Sequence, residues 1–78
     1  MELEQVANMM HSNRKLMRSV KGLCVMEGKK LNKLPTTHDY VYQESIIAYL
    51  KGISTYLNKA QSEMSQLITD LINEENKS

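Results

Sequence analysis

Residues 46–71 carry a hydrophobic heptad that runs without a slip, and they read IIAYLKGISTYLNKAQSEMSQLITDL. The apolar positions alternate at spacings of four and three: Ile46, Leu50, Ile53, Leu57, Ala60, Met64, Leu67 and Leu71. This alternation is typical of a helix that packs lengthwise against other helices. Gly52 is a weak helix former inside the stretch, so a break into two helices is the alternative. The unbroken heptad favours one continuous helix.

A similar pattern predicts a first helix over residues 2–27. Its seam repeats the spacing of three and four and consists of Leu3, Val6, Met10, Asn13, Met17, Val20 and Cys24. Gly28 is then expected to end the helix in a left-handed conformation.

The connector between the helices is predicted at residues 28–38. Pro35 disfavours helix at the preceding residue and so separates the two helices. Thr36 or Thr37 is suited to cap the second helix, which we expect over residues 39–75.

The predicted fold is all-α: a two-helix antiparallel hairpin in one domain of 78 residues, with a frayed tail at 76–78. A chain of this length buries too little surface for a secure core of its own. The single cysteine, Cys24, excludes a disulfide within the chain, and two histidines with one cysteine are too few for structural zinc. Self-association or partner binding is the remaining source of stability.

The difference in helix length predicts where that association takes place. A simple hairpin leaves about three turns of the second helix beyond the end of the first, and burying each apolar side chain there is worth ~1.5–3 kcal/mol. We therefore predict a homodimer in which two hairpins form a four-helix bundle. A groove on a host protein is the alternative. The predicted interface consists of Met64, Leu67, Ile68, Leu71 and Ile72.

Catalysis has no motif in this sequence. The three glycines are isolated, so there is no phosphate-binding loop, and no Ser-His-Asp or Cys-His arrangement has a recognisable context. Cys24 lies on the apolar seam, where a buried thiol is inert. We predict a protein that is not an enzyme and that uses no metal and no cofactor.

Asn13 occupies a seam position that is otherwise apolar. A polar residue at such a position often fixes helix register and oligomeric state. The alternative is that the seam drifts and Asn13 lies at its margin.

Basic residues are concentrated in the middle of the chain, although the net charge is only +1. Arg14, Arg18 and Lys21 share one helix face, and Lys15 lies beside them. This basic face is a candidate partner-binding site for phosphates or for an acidic protein surface. An ordinary solvated face is the alternative, and a nearly neutral chain disfavours nucleic acid.

Three tyrosines, Tyr42, Tyr49 and Tyr56, form a column because they are spaced by seven residues. Tyrosine is enriched at binding hot spots, so this column is a second candidate for partner binding. Boundary packing and a base-stacking platform are the alternatives.

The cellular location is predicted from what the first residues lack. Charged residues interrupt residues 1–20, and no run of ~18 apolar residues occurs, which excludes a secretory signal pattern and a membrane span. We expect a cytoplasmic protein.

The format, a short helical hairpin rich in Lys, Asn and Met, resembles small regulators of low-GC Gram-positive bacteria and their phages. Those regulators act by binding a larger protein, such as a replication initiator or a sensor kinase. The sporulation aspartyl-phosphate phosphatases share the hairpin and carry a Ser-Gln-Glu-Leu-Asp signature on the second helix. The corresponding segment here reads Tyr42-Gln43-Glu44-Ser45-Ile46-Ile47, which lacks the Leu-Asp pair, so no catalytic residue is carried over.

The function predicted from these features is that of a small non-catalytic regulator that binds itself and a larger protein target. The alternative is a nucleic-acid-binding accessory protein that uses the basic face of the first helix.

Overall fold

The computed structural model describes residues 2–34 and 36–77, and these form two helices. Helix α1 spans Leu3–Leu31 and helix α2 spans Thr37–Asn76. They pack side by side as an all-α hairpin, which confirms the predicted fold class. The expected role of Pro35 lies outside the described residues.

The predicted end of the first helix is wrong. Helix α1 continues through Gly28 to Leu31, and no glycine in the described part of the chain has a positive φ. Gly28 is therefore an interior residue of the helix. Leu31 is half-buried, and we attribute the additional turn to its packing, which outweighs the weak helix propensity of glycine.

Helix α2 begins two residues earlier than predicted, directly after Thr36. The Thr36 hydroxyl oxygen accepts a hydrogen bond from the Asp39 backbone N–H at 3.1 Å, which confirms Thr36 as the cap. The helix then runs without a break through Gly52 to Asn76, one residue past the predicted end. Its 40 residues match the 64 Å length of the molecule at ~1.5 Å per residue.

The buried core is small. Among the described residues, the only buried apolar side chains are Val6, Met10 and Val20. Two polar side chains, Asn13 and Gln43, are buried beside them. The molecule is a rod only 14 Å across in both other directions, so most apolar side chains touch one neighbouring helix at most.

Asn13 sets the register of the hairpin. Its amide Nδ2 donates to the backbone carbonyl of Leu57 at 2.9 Å and to Gln61 Oε1 at 2.8 Å. Asn13 is 7% exposed, so it lies within the seam and not at its margin. Counting back along α1 and forward along α2 from this bond brings Leu67 level with the first turn of α1.

This register corrects the expected overhang of α2. Of the five residues predicted at the interface, Met64, Leu67, Ile68 and Leu71 are half-buried and Ile72 is exposed. The overhang is shorter because α1 reaches almost level with Leu71. The apolar surface left over by the fold must therefore lie elsewhere.

Candidate functional site

The hairpin has two long sides, each formed by both helices, and one of them is a basic cleft of about 740 Å³. Helix α1 contributes most of its charge and its apolar floor, and helix α2 contributes one cation and a polar wall. The lining residues are Arg14, Met17, Arg18, Lys21, Cys24, Lys51, Ser54, Thr55 and Asn58.

The charge in the basic cleft has one sign. Its rim carries Arg14, Arg18 and Lys21 from α1 and Lys51 from α2, and no carboxylate is found among the described residues that line it. Such a concentration of cations raises the local potential above that of a chain with net charge +1. Lys15, predicted as part of this site, is exposed on α1 and does not line the cleft.

The floor of the cleft is apolar and its α2 wall is held in place. Met17 and Cys24 are half-buried side chains at its base. On the wall, the Thr55 hydroxyl donates to the Lys51 carbonyl at 3.1 Å, and Asn58 Nδ2 donates to the Ser54 carbonyl at 2.9 Å. These bonds hold both side chains against their own helix.

The opposite side of the hairpin is an apolar face. A shallow depression there is lined by Met9 and Leu16 of α1 and Met64 of α2, together with Asn8, Ser12 and Asn13. Leu23 continues the α1 column one heptad further, and the helical repeat places Ile53 on the same side of α2 as Met64. We define the apolar face by these residues and their neighbours on α2, which together are Met9, Leu16, Leu23, Ile46, Ile53, Ala60, Met64 and Leu67.

The apolar face carries large side chains that are about half exposed. Met9 is 49% exposed, Leu16 55%, Leu23 43% and Ile53 46%. The three α1 residues recur at seven-residue intervals on one side of the hairpin, and Ile53 lies on the same side, which distinguishes them from scattered single hydrophobic residues on an ordinary surface.

The tyrosine column borders the apolar face and does not line the basic cleft. Tyr42, Tyr49 and Tyr56 are 66%, 76% and 77% exposed. The basic residues and the tyrosines, predicted together as partner-binding residues, therefore belong to different sides of the molecule. Of the residues predicted at the oligomer interface, Met64 and Leu67 lie on the apolar face, while Ile72 lies near the end of α2.

A polar cluster ties the two helices together near the connector. Gln43 Nε2 donates to the Glu27 backbone carbonyl at 3.1 Å and also to Glu27 Oε2. Lys30 Nζ lies 3.1 Å from Glu27 Oε1. The hydrogen bond from Gln43 and then the one from Lys30 hold the pKa of the Glu27 carboxyl below its ordinary value of 4.5.

Sequence reasoning missed Gln43, Gln61 and Lys51. Gln43 lies seven residues before Leu50, so extending the heptad backward would have placed it in the seam. The polar wall of the cleft on α2 is formed by residues at offsets of 0, 3, 4 and 7 from Lys51, which are Lys51, Ser54, Thr55 and Asn58. Each of the two helical faces is a local pattern in the sequence, but the register that sets them opposite each other is not.

Over residues 2–34 and 36–77, no group of three His, Cys, Asp or Glu side chains could hold a metal ion. Neither helix, over the same residues, has a stretch apolar enough to cross a membrane. Comparison with protein-family models, with curated proteins and with solved structures found no match for this chain.

Proposed function

We propose that this chain is a cytoplasmic, non-catalytic regulatory protein that acts by protein–protein contact, and that it self-associates through the apolar face. The observation that carries the proposal is the exposed column of Met9, Leu16 and Leu23, spaced by seven residues, beside Ile53. Fully burying a side chain of this size is worth ~1.5–3 kcal/mol, so covering the exposed half of each is worth about half of that. In a dimer with a two-fold axis, each such residue is buried once in each protomer, so this free energy is gained twice.

The length of the apolar face suits packing of two helical hairpins. On α2 it runs from Ile46 to Leu67, which is about 32 Å at ~1.5 Å per residue, or half of the 64 Å rod. Two hairpins packed on this side make a four-helix bundle, the arrangement that covers two open helix pairs at once. The tyrosine column then lies at the rim, where rings pack and hydroxyl groups stay wet.

The basic cleft is excluded as the dimer interface by the same symmetry. A two-fold axis sets a patch against its own copy, so Arg14, Arg18 and Lys21 would face identical cations. Like charges brought together without partners oppose association. The dimer therefore uses the apolar face and leaves the basic cleft open to a different molecule.

Introduction of a negative charge on the apolar face tests the proposal. Leu16→Glu places a carboxylate at the centre of the expected interface, and we expect the dimer dissociation constant in sedimentation equilibrium to rise at least tenfold. Val25→Glu is the matched control, because Val25 is 53% exposed against 55% for Leu16 and lies on the opposite side of α1. Equal dissociation constants for the two variants would refute the proposed interface.

A second candidate function is supported by one observation, the convergence of Arg14, Arg18, Lys21 and Lys51 on a single cleft. Such a cleft also suits nucleic-acid phosphates, whose binding weakens steeply with salt because counterions are released. A gel shift at low salt that shows no complex with duplex or single-stranded DNA or RNA would remove this candidate.

A further inference from the structure

The residues that line the basic cleft indicate what kind of ligand it binds. Four cations surround an apolar floor made by Met17 and Cys24, and within the described residues no carboxylate neutralises them from the lining. The ligand that complements this cleft carries negative charges at its edges and apolar groups in its centre. Resting on the proposed function, we infer that the basic cleft binds an acidic, amphipathic helical segment of another protein.

The shape of the cleft favours a helix. The cleft lies between two helices, and a third helix seated there would present apolar side chains at i and i+4 to the floor. The cations of α1 stand at positions 14, 18 and 21, which span about 10 Å along the axis at ~1.5 Å per residue. Carboxylates at the same spacings on a ligand helix would meet them over two turns.

A nucleic acid fits the same cleft less well. A duplex carries one negative charge per ~1.7 Å of its axis and extends well beyond a patch of about 10 Å. The apolar floor would also stay uncovered beneath a phosphate backbone, whereas a short acidic helix covers it.

A selection from displayed helices tests the inference with the full chain. The probe is a library of 18-residue peptides that have leucine at the a and d positions of the heptad and Glu, Gln, Lys or Ala drawn equally elsewhere. We expect the selected binders to be enriched in Glu beside the leucines. Replacement of every Glu in a binder by Gln should weaken its affinity at least tenfold.

Two double variants locate the binding. Arg14→Glu with Arg18→Glu should weaken peptide binding at least tenfold in fluorescence anisotropy. Lys15→Glu with Lys59→Glu makes the same change in net charge outside the cleft lining, and it should leave the affinity within twofold. Light scattering of both variants reports self-association separately, so failure of the dimer and failure of the cleft are distinguishable.

Three results would overturn the inference. The first is a selection that yields no binder or yields binders without acidic enrichment. The second is an equal loss of affinity in the two double variants. The third is an oligonucleotide that displaces the peptide at physiological salt and depends on Arg14 and Arg18, which would assign the cleft to nucleic acid.

Discussion

Asn13 shows how one polar residue specifies the pairing of two helices. Its amide reaches the Leu57 carbonyl and Gln61 across 44 and 48 positions of the chain. An apolar residue at this position would permit several registers, whereas the amide has buried partners in only one of them. Gln61 Nε2 is buried and has no hydrogen-bond partner among the described residues, so the pairing carries a cost in stability.

Glu27 makes the stability of the hairpin depend on pH in the acidic range. Hydrogen bonds from Gln43 and Lys30 lower its folded-state pKa below the unfolded value near 4.5. A lowered pKa stabilises the fold above the unfolded pKa, and this contribution is lost as the pH falls through the folded pKa. We expect the free energy of unfolding to decrease below about pH 4.5, and Glu27→Gln to flatten that decrease.

Chemical denaturation at a series of pH values measures this effect. Glu44→Gln is the control, because it removes an exposed carboxylate outside the polar cluster. A pH profile of Glu27→Gln as steep as that of the wild-type protein would show that the cluster is not the source of the dependence.

At the scale of the element, α2 is a long helix that tolerates glycine. Gly52 lies in its interior, and an added Cβ would meet no atom within 4 Å. Gly52→Ala should therefore raise the free energy of unfolding by about 0.5–1 kcal/mol, because alanine loses less backbone entropy on folding. Urea denaturation followed by helicity measures the change.

The reverse substitution provides the matched control for α2. Ala48→Gly, at an exposed position of the same helix, should lower stability by a similar amount. A loss of stability in Gly52→Ala would mean that another backbone approaches α2 at Gly52.

The helices were predictable because their signals are local. The heptad of residues 46–71 and the seam of α1 are periodic patterns that need no knowledge of the rest of the fold. The end of α1 was not predictable from Gly28, because Gly28 keeps a helical backbone and the helix continues to the half-buried Leu31. Thr36 was predictable as a cap, since its hydroxyl reaches a backbone N–H only three residues away.

The sequence predicted the α1 side of the candidate site but not its α2 side. Arg14, Arg18 and Lys21 share a face by helical spacing alone. Their association with Lys51 depends on the register that Asn13 sets over 44 positions of the chain, and no local pattern reports a contact of that range. The tyrosine column was predicted as a column, but its separation from the basic residues emerges only when both helices are placed.

At the scale of the whole molecule, the hairpin has more apolar surface than one neighbour can cover. Twelve large apolar or aromatic side chains of the described residues are exposed, against three that are buried, and four of the twelve, Met9, Leu16, Leu23 and Ile53, belong to the apolar face. A single rod 14 Å thick has no second layer to bury them. In the proposed dimer, a second copy of the chain supplies that layer over the apolar face.

The molar mass of the wild-type chain in solution tests this claim most directly. Multi-angle light scattering at roughly 50 µM should give twice the chain mass of 9.0 kDa, with partial dissociation on dilution because association follows mass action. A well-folded, fully helical species of 9.0 kDa at that concentration would contradict the account.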